Sequence, residues 1–253
     1  MLRHLLLALA ALPLAAGNAL AADASPLAVA TDIYALVAET TMVSVEVDPD
    51  KHAAMAVKIL QRLDTTVPVA ITAIADNDAA RAADLTMNWE DMKSAYQGES
   101  FAIAFRENSY DTNLTARYMS GSDALLMAFD PAATKAAANS PEQQVRLRVL
   151  KTITSYLKTS TGIVGGTSQS ANDLDNDVPA GVAAVDKGLA ELKQKYAGKP
   201  QAAALKATTA RWSFLRPALL KSSNQSTPFI VYTHGVGVAR SLDELAGAAA
   251  TAN

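Results

Sequence analysis

Apolar residues recur every three or four positions along most of the chain, in long segments separated by short breaks that are polar or contain proline or glycine. This spacing places the apolar side chains on one side of an α-helix, so it predicts an all-α fold. Two short segments, 101–105 and 229–232, are rich in strand-favouring residues; we assign them to helix ends, with short strands as the alternative. The predicted helices cover residues 26–45, 50–75, 78–97, 112–138, 141–164, 178–196, 200–222 and 228–248.

The eight predicted helices contain a weak internal repeat. A shift of 123 residues places Trp89 on Trp212, and these are the two tryptophans of the chain. Helices of about 20 residues must bury an apolar face against neighbours, which antiparallel bundles with short loops achieve. We therefore predict two related antiparallel four-helix bundle units in tandem, over residues 22–139 and 140–253, with each tryptophan anchoring a core.

The N-terminus has the composition of a cleavable signal peptide, which we place at residues 1–21. Basic residues at Arg3 and His4 precede an apolar run, and small residues at Ala19 and Ala21 follow it. The run is shorter than the roughly 20 residues of a membrane span, which argues against a signal anchor. We also expect no later membrane span, so the mature chain is predicted to be exported to the periplasm.

Composition narrows the classes of partner. The formal net charge is −3 and no dense basic stretch occurs, which argues against a nucleic-acid partner. There is no cysteine, so neither disulfides nor thiolate metal sites can stabilise the fold. Aromatic residues are few and alanine is abundant, which favours closely packed helices over sheets.

The helix predicted to start at Pro141 carries four basic residues near its beginning and middle. At 100° per residue, Arg148, Lys151 and Lys158 project away from the apolar seam and are expected to face solvent. Arg146 instead continues the seam. Its guanidinium either extends past the helix start into water, or faces the bundle interior or a subunit interface, where it suits a carboxylate or small oxyanion.

Residues 144–157, QVRLRVLKTITSYL, resemble the first helix of PilJ-type sensor domains, which reads approximately GRQRMLSQRIAKAYL. These domains lie at the front of type IV pilus chemotaxis transducers and are related to nitrate/nitrite sensor kinases. Segments 188–194, 210–219 and 228–245 are similar to the second, third and fourth helices of the family. The resemblance covers residues 141–245.

This resemblance implies a periplasmic, non-catalytic sensory helical bundle that binds a small anion such as nitrate or nitrite, or contacts an envelope signalling protein. In the family, arginines of the first helix hold the anion at a subunit interface. The ligand-binding residues implied here are therefore Arg146 and Lys151, with a homodimer as an alternative to a monomer. The competing hypothesis is a helical protein–protein interaction module of the cell envelope without a small-molecule ligand.

Other candidate chemistry is weaker. Three aspartates at alternate positions, Asp173, Asp175 and Asp177, resemble the start of a calcium loop, but its later glycine and glutamate are missing, so we predict a polar loop before a helix at Val178. His234 is expected to be a core histidine and His52 has no predicted co-ligand. No nucleophile motif is present. We expect no catalytic residue, no metal site and no cofactor.

Overall fold

A computed structural model describes residues 23–45, 49–75, 78–97, 112–135, 140–161, 171–221 and 227–250. All regular secondary structure in these ranges is α-helical, which confirms the all-α prediction. The segment 229–232 is helical, whereas 101–105 and the predicted signal peptide lie outside the described residues. The helices are α1 (Pro26–Val43), α2 (Pro49–Ala75), α3 (Ala79–Gln97), α4 (Thr112–Lys135), α5 (Pro141–Thr161), α6 (Ala171–Lys195), α7 (Ala202–Leu220) and α8 (Pro228–Ala250).

The starts of α1 and α5 share one local design. Ser25 Oγ accepts a hydrogen bond from the backbone N–H of Ala28 at 3.2 Å, and Ser140 Oγ accepts one from Gln143 at 3.3 Å. Each serine precedes a proline at the first helical position, where the missing N–H is not needed. These two serines satisfy otherwise free N–H groups of the first turn.

The helices pack as two closed rings joined along one face. In the first ring α1 packs against α2 and α4, and α3 packs against both α2 and α4. In the second ring α5 packs against α6 and α8, and α7 packs against both α6 and α8. The rings meet where α1 packs against α5. Because α1 and α5 contact both rings, they are the most enclosed helices of the protein.

Helix α1 departs from one expectation. The sequence predicts no membrane span after the signal peptide, but α1 is long and apolar enough to cross a membrane. Most of it is buried inside the protein, and both core helices and N-terminal signal sequences share these properties. In this fold its apolar side chains, such as Ile33 and Leu36, form part of the core.

Both tryptophans are only 1% exposed, which confirms their prediction as core anchors. In the first ring the helix that carries the tryptophan approaches the next helix closely at Gly121, whereas in the second ring an arginine side chain covers Gly237. A Cβ atom at Gly121 would lie 2.7 Å from the carbonyl oxygen of Asn88, and one at Gly237 would lie 2.5 Å from the Arg211 guanidinium. Asn88 and Arg211 each directly precede a tryptophan, but the first contact is made by the backbone and the second by a side chain, and the two glycines do not align.

Candidate functional site

Arg146 lies near the start of α5 and turns towards α8. Its Nη1 donates to Asp243 Oδ1 at 2.8 Å, and the side chain is 29% exposed. Its Nε is buried without a hydrogen-bond partner in the described part of the chain. The guanidinium therefore already holds a carboxylate from the same ring.

Lys151 lies on a different side of α5. Its Nζ donates to Asp130 Oδ2 on α4 at 2.8 Å, and the same oxygen accepts from the Tyr34 hydroxyl, also at 2.8 Å. Burial, followed by the charge and hydrogen bond of Asp130, raises the pKa of Tyr34. Since Arg146 and Lys151 are about 140° apart around the helix, the structure does not bring them together. Their ligand-binding role stays a prediction.

Lys158 corrects one prediction. We expected it on a solvent-facing side of α5, but it is 7% exposed and donates to Asp123 Oδ1 at 2.8 Å. The prediction was wrong because α5 packs against α1 as well as its own ring, which buries a second face. Asp123 and Asp130 are seven residues apart on α4, and their partners Lys158 and Lys151 are seven residues apart on α5 in the reverse order. The two ion pairs therefore link α4 and α5 as antiparallel helices.

A buried polar cluster joins α1, α2 and α8. Glu39 Oε2 lies 2.7 Å from His52 Nδ1, and Glu39 Oε1 accepts a short hydrogen bond from the Tyr232 hydroxyl. The rings of His52 and Tyr232 meet edge to face with centroids 4.9 Å apart. Burial and the Glu39 charge raise the pKa of nearby Tyr96 to about 12. The cluster connects the two rings through side-chain contacts that the sequence did not indicate.

A second buried carboxylate, Glu142, lies in the first turn of α5. Its Oε1 accepts from Lys195 Nζ at 2.8 Å and from the Tyr196 hydroxyl at 2.7 Å, while Oε2 is buried without a partner in the described residues. Burial alone would favour the neutral acid, but these hydrogen bonds outweigh it and lower the pKa of Glu142. Burial, together with Glu142, raises the pKa of Tyr196 to about 12.

Tyr196 also lines a groove between the end of α6 and the start of α7. The groove has a volume of about 550 Å³, and Leu205 contributes to its apolar wall. Lys193 and Lys206 also line it; both are exposed, and neither forms an ion pair with any described residue. The other lining residues are Ala197, Ala202, Thr209, Ala210 and Ser213. An apolar groove with two free ammonium groups suits a small organic anion.

A second hollow, of about 600 Å³, lies on α3 and α4. It is more open, and acidic side chains Asp84, Glu90 and Asp91 line it. Among its described lining residues the one cation is Arg117, which is ion-paired with Asp91. This hollow therefore offers no free positive charge to an anion, in contrast to the groove between α6 and α7.

The predictions of a core His234 and of a polar loop before Val178 are wrong. His234 is only partly buried, and its ring centroid lies 4.7 Å from that of Phe214 on α7, so it is not a core residue. Helix α6 begins at Ala171 rather than at Val178, so the predicted loop through Asp173 and Asp175 is helical. No group of three potential metal-ligating side chains occurs among the described residues.

Sequence reasoning missed Lys193, Lys206 and Glu142 because it concentrated on the basic side of one helix. One signal was available: no aspartate or glutamate occurs between residues 192 and 242, so lysines there have few acidic partners.

Comparisons with family models, with curated proteins and with solved structures found no match for the chain. The PilJ-type resemblance therefore stays a prediction.

Proposed function

We propose that the chain is an exported, periplasmic, non-catalytic sensory or ligand-binding domain that binds a small organic anion in the groove between α6 and α7. The observation that carries this proposal is the pair of unpaired lysines, Lys193 and Lys206, beside an apolar wall that includes Leu205. An anion in the groove would gain two charge-assisted contacts without displacing an existing carboxylate.

We further propose that the two rings are related four-helix units in tandem, as the helix count and the 123-residue repeat of the tryptophans predict. Matching serine-proline helix starts and matching buried tryptophans support this relationship. Their low sequence similarity is compatible with two copies that kept helix packing and lost most surface identity.

The resemblance suggests a different anion site, at Arg146 and Lys151. There an anion would have to compete with Asp243 for the arginine and with Asp130 for the lysine. Both competitors are tethered to neighbouring helices, so their effective concentration is high. The groove therefore supports anion binding better than the α5 residues do.

The shape of the groove also limits the ligand. Nitrate and nitrite would use the two lysines but leave the apolar wall uncovered, whereas a monocarboxylate with a short alkyl chain or an aromatic ring would use both. We expect such acids to bind more tightly than inorganic anions of the same charge.

A thermal-shift titration of the mature protein tests this proposal with nitrate, nitrite, acetate, hexanoate and benzoate. Hexanoate or benzoate should raise the melting temperature in a concentration-dependent way, since a ligand at 100 times its Kd stabilises by about 2.7 kcal/mol. The double variant Lys193→Ala/Lys206→Ala should lose the shift, and Lys51→Ala/Lys58→Ala on α2 serves as the matched control.

Two outcomes would contradict the proposal in different ways. A shift that Arg146→Ala abolishes and the Lys193/Lys206 variant retains would place the anion site on α5. A flat response to every anion would remove ligand binding and leave the protein-interaction module as the better hypothesis.

A further inference from the structure

The charge of the chain is strongly uneven. Residues 192–242 contain eight basic residues and no acidic one, in a chain whose net charge is −3. The segment includes all of α7 and the first half of α8. The basic residues are Lys193, Lys195, Lys199, Lys206, Arg211, Arg216, Lys221 and Arg240.

Most of these cations have no carboxylate partner. Lys195 pairs with Glu142 and Arg216 pairs with Asp186, but the other six form no ion pair within the described part of the chain. Arg211, Lys221 and Arg240 are exposed and do not line the groove between α6 and α7. They make the exposed side and the end of α7 positive; α8 contributes only Arg240, and its acidic residues Asp243 and Glu244 follow within about one turn.

The same two helices expose apolar side chains. Phe214 is 62% exposed and Phe229 is 54% exposed, and Leu220 and Ile230 are also exposed. Together they are four of the ten large apolar residues that are exposed in the described ranges. Phe214 contacts His234 across the two helices, and Ile230 precedes His234 by one helical turn, so the apolar positions continue from α7 to α8.

These residues point outwards because α7 is an edge helix. It buries one narrow stripe, and at 100° per residue Ala210, Phe214 and Lys221 lie within about 40° of the line opposite that stripe. The stripe consists of Leu205, Thr208, Trp212, Leu215 and Leu219. On α8, Phe229 and Arg240 are likewise exposed. We call the set Arg211, Phe214, Lys221, Phe229, Ile230 and Arg240 the basic face.

We propose that the basic face docks on the surface of an anionic lipid bilayer. Lysine and arginine side chains can contact lipid phosphates, while phenylalanine and isoleucine enter the boundary between headgroups and acyl chains. The exposed apolar side chains lie on two helices that pack together, and a fluid surface can accommodate them without shaped pockets. An acidic protein would need matching pockets for Phe214 and Phe229. This inference does not depend on the proposed ligand groove.

Vesicle co-sedimentation of the mature chain tests the proposal. The protein should sediment with vesicles of equal phosphatidylcholine and phosphatidylglycerol, remain in solution with phosphatidylcholine alone, and be released as salt rises from about 0.05 to 0.5 M. Lys221→Glu/Arg240→Glu should weaken binding at least tenfold. Phe214→Ser/Phe229→Ser should weaken it several-fold without changing its salt dependence.

Matched controls use residues of the same type on the first ring. Lys51→Glu/Lys58→Glu makes an equal charge change on exposed positions of α2, and Met127→Ser removes an exposed apolar side chain on α4. Both should bind like the unmodified protein. Because every substituted residue is exposed, circular dichroism should show an unchanged fold.

Several results would overturn the proposal. Equal binding to both vesicle types would show that charge does not direct the contact, and equal losses in the α2 control would show that only net charge matters. Absence of vesicle binding would exclude the bilayer, and retention of poly-glutamate under the same conditions would then assign the basic face to an acidic protein partner.

Discussion

The two tryptophans lie at matching positions of the two rings but differ in what their indole N–H contacts. Trp212 Nε1 donates to Asp186 Oδ1 at 2.7 Å, and Arg216 Nε donates to the other oxygen at 2.8 Å. Trp89 Nε1 is buried without a hydrogen-bond partner in the described residues. At the 123-residue shift Asp186 corresponds to Leu63, a core residue.

The helix starts show the same contrast. When the capping serines Ser25 and Ser140 are aligned, the buried Glu142 of the second ring corresponds to Leu27 of the first. At two matching positions the first ring therefore uses leucine and the second uses a carboxylate. Asp186 is partly exposed, whereas Glu142 is buried. A buried carboxylate loses hydration that specific donors must offset, so the contacts of Glu142 are directional and depend on its protonation.

The largest expected effect comes from removing the buried tryptophan that each ring contains. Trp89→Ala and Trp212→Ala should each lower the free energy of unfolding by about 3–5 kcal/mol, because each removes a fully buried indole and leaves a cavity. Urea denaturation of the two variants gives both values. A cost below 1 kcal/mol at either position would mean that this tryptophan does not anchor its core.

Glu142→Gln should lower the free energy of unfolding at pH 7 by about 1–3 kcal/mol, because Lys195 and Tyr196 lose a charged acceptor. The pKa of Glu142 is lowered in the folded protein, so its contribution is present above its ordinary value of 4.5 and is lost as the pH falls through the folded value. Denaturation at several pH values should therefore show the variant and the unmodified protein converging in acid.

The matched control for this pH dependence is Leu27→Met in the first ring, which changes packing without introducing a titrating group. Its difference from the unmodified protein should be the same at each pH. A Glu142→Gln cost that stays constant down to the most acidic conditions would contradict the role of the Glu142 charge.

A finer comparison replaces each tryptophan with phenylalanine. Trp212→Phe should cost about 1–2 kcal/mol more than Trp89→Phe, because only the first removes a hydrogen bond to a charged acceptor. Urea denaturation of both variants checks this difference. Equal costs would indicate that the Trp212–Asp186 hydrogen bond adds nothing to stability.

The smallest expected effect concerns the cations near each indole. Lys93 pairs with Asp64 and Glu90, and Arg216 pairs with Asp186, in each case near the surface. Lys93→Met and Arg216→Met should each change the free energy of unfolding by less than about 1 kcal/mol, since exposed ion pairs contribute little. Raising the salt concentration should reduce both differences, and an effect that salt leaves unchanged would point to lost packing instead.

Local patterns were sufficient to predict the described helices and most of their starts. Apolar spacing located the helix interiors, and the serine-proline pairs located the starts of α1 and α5. The start of α6 was missed because Asn and Asp at residues 172–177 favour loops in isolation, whereas here they are part of a long helix. Pro200 was predicted to begin a helix, and α7 begins two residues later, at Ala202.

The candidate site was less predictable because it depends on contacts between distant helices. Periodicity identifies one buried stripe per helix, so it could not show that Asp123 on α4 reaches Lys158 or that Asp243 reaches Arg146. The groove lies between the end of α6 and the start of α7, and no local pattern encodes how these two segments are placed side by side. The free lysines were visible in the sequence, but the apolar wall between them was not.

The contact of α1 with α5 has a consequence for the ancestry of the protein. Each is the first helix of its ring, so the contact joins equivalent surfaces, as a two-fold homodimer interface does. If the rings arose by duplication, as proposed above, gene fusion converted an association between two subunits into a permanent internal one. A relative that carries a single ring should then form dimers through this face, whereas the present chain has no free copy of it to offer.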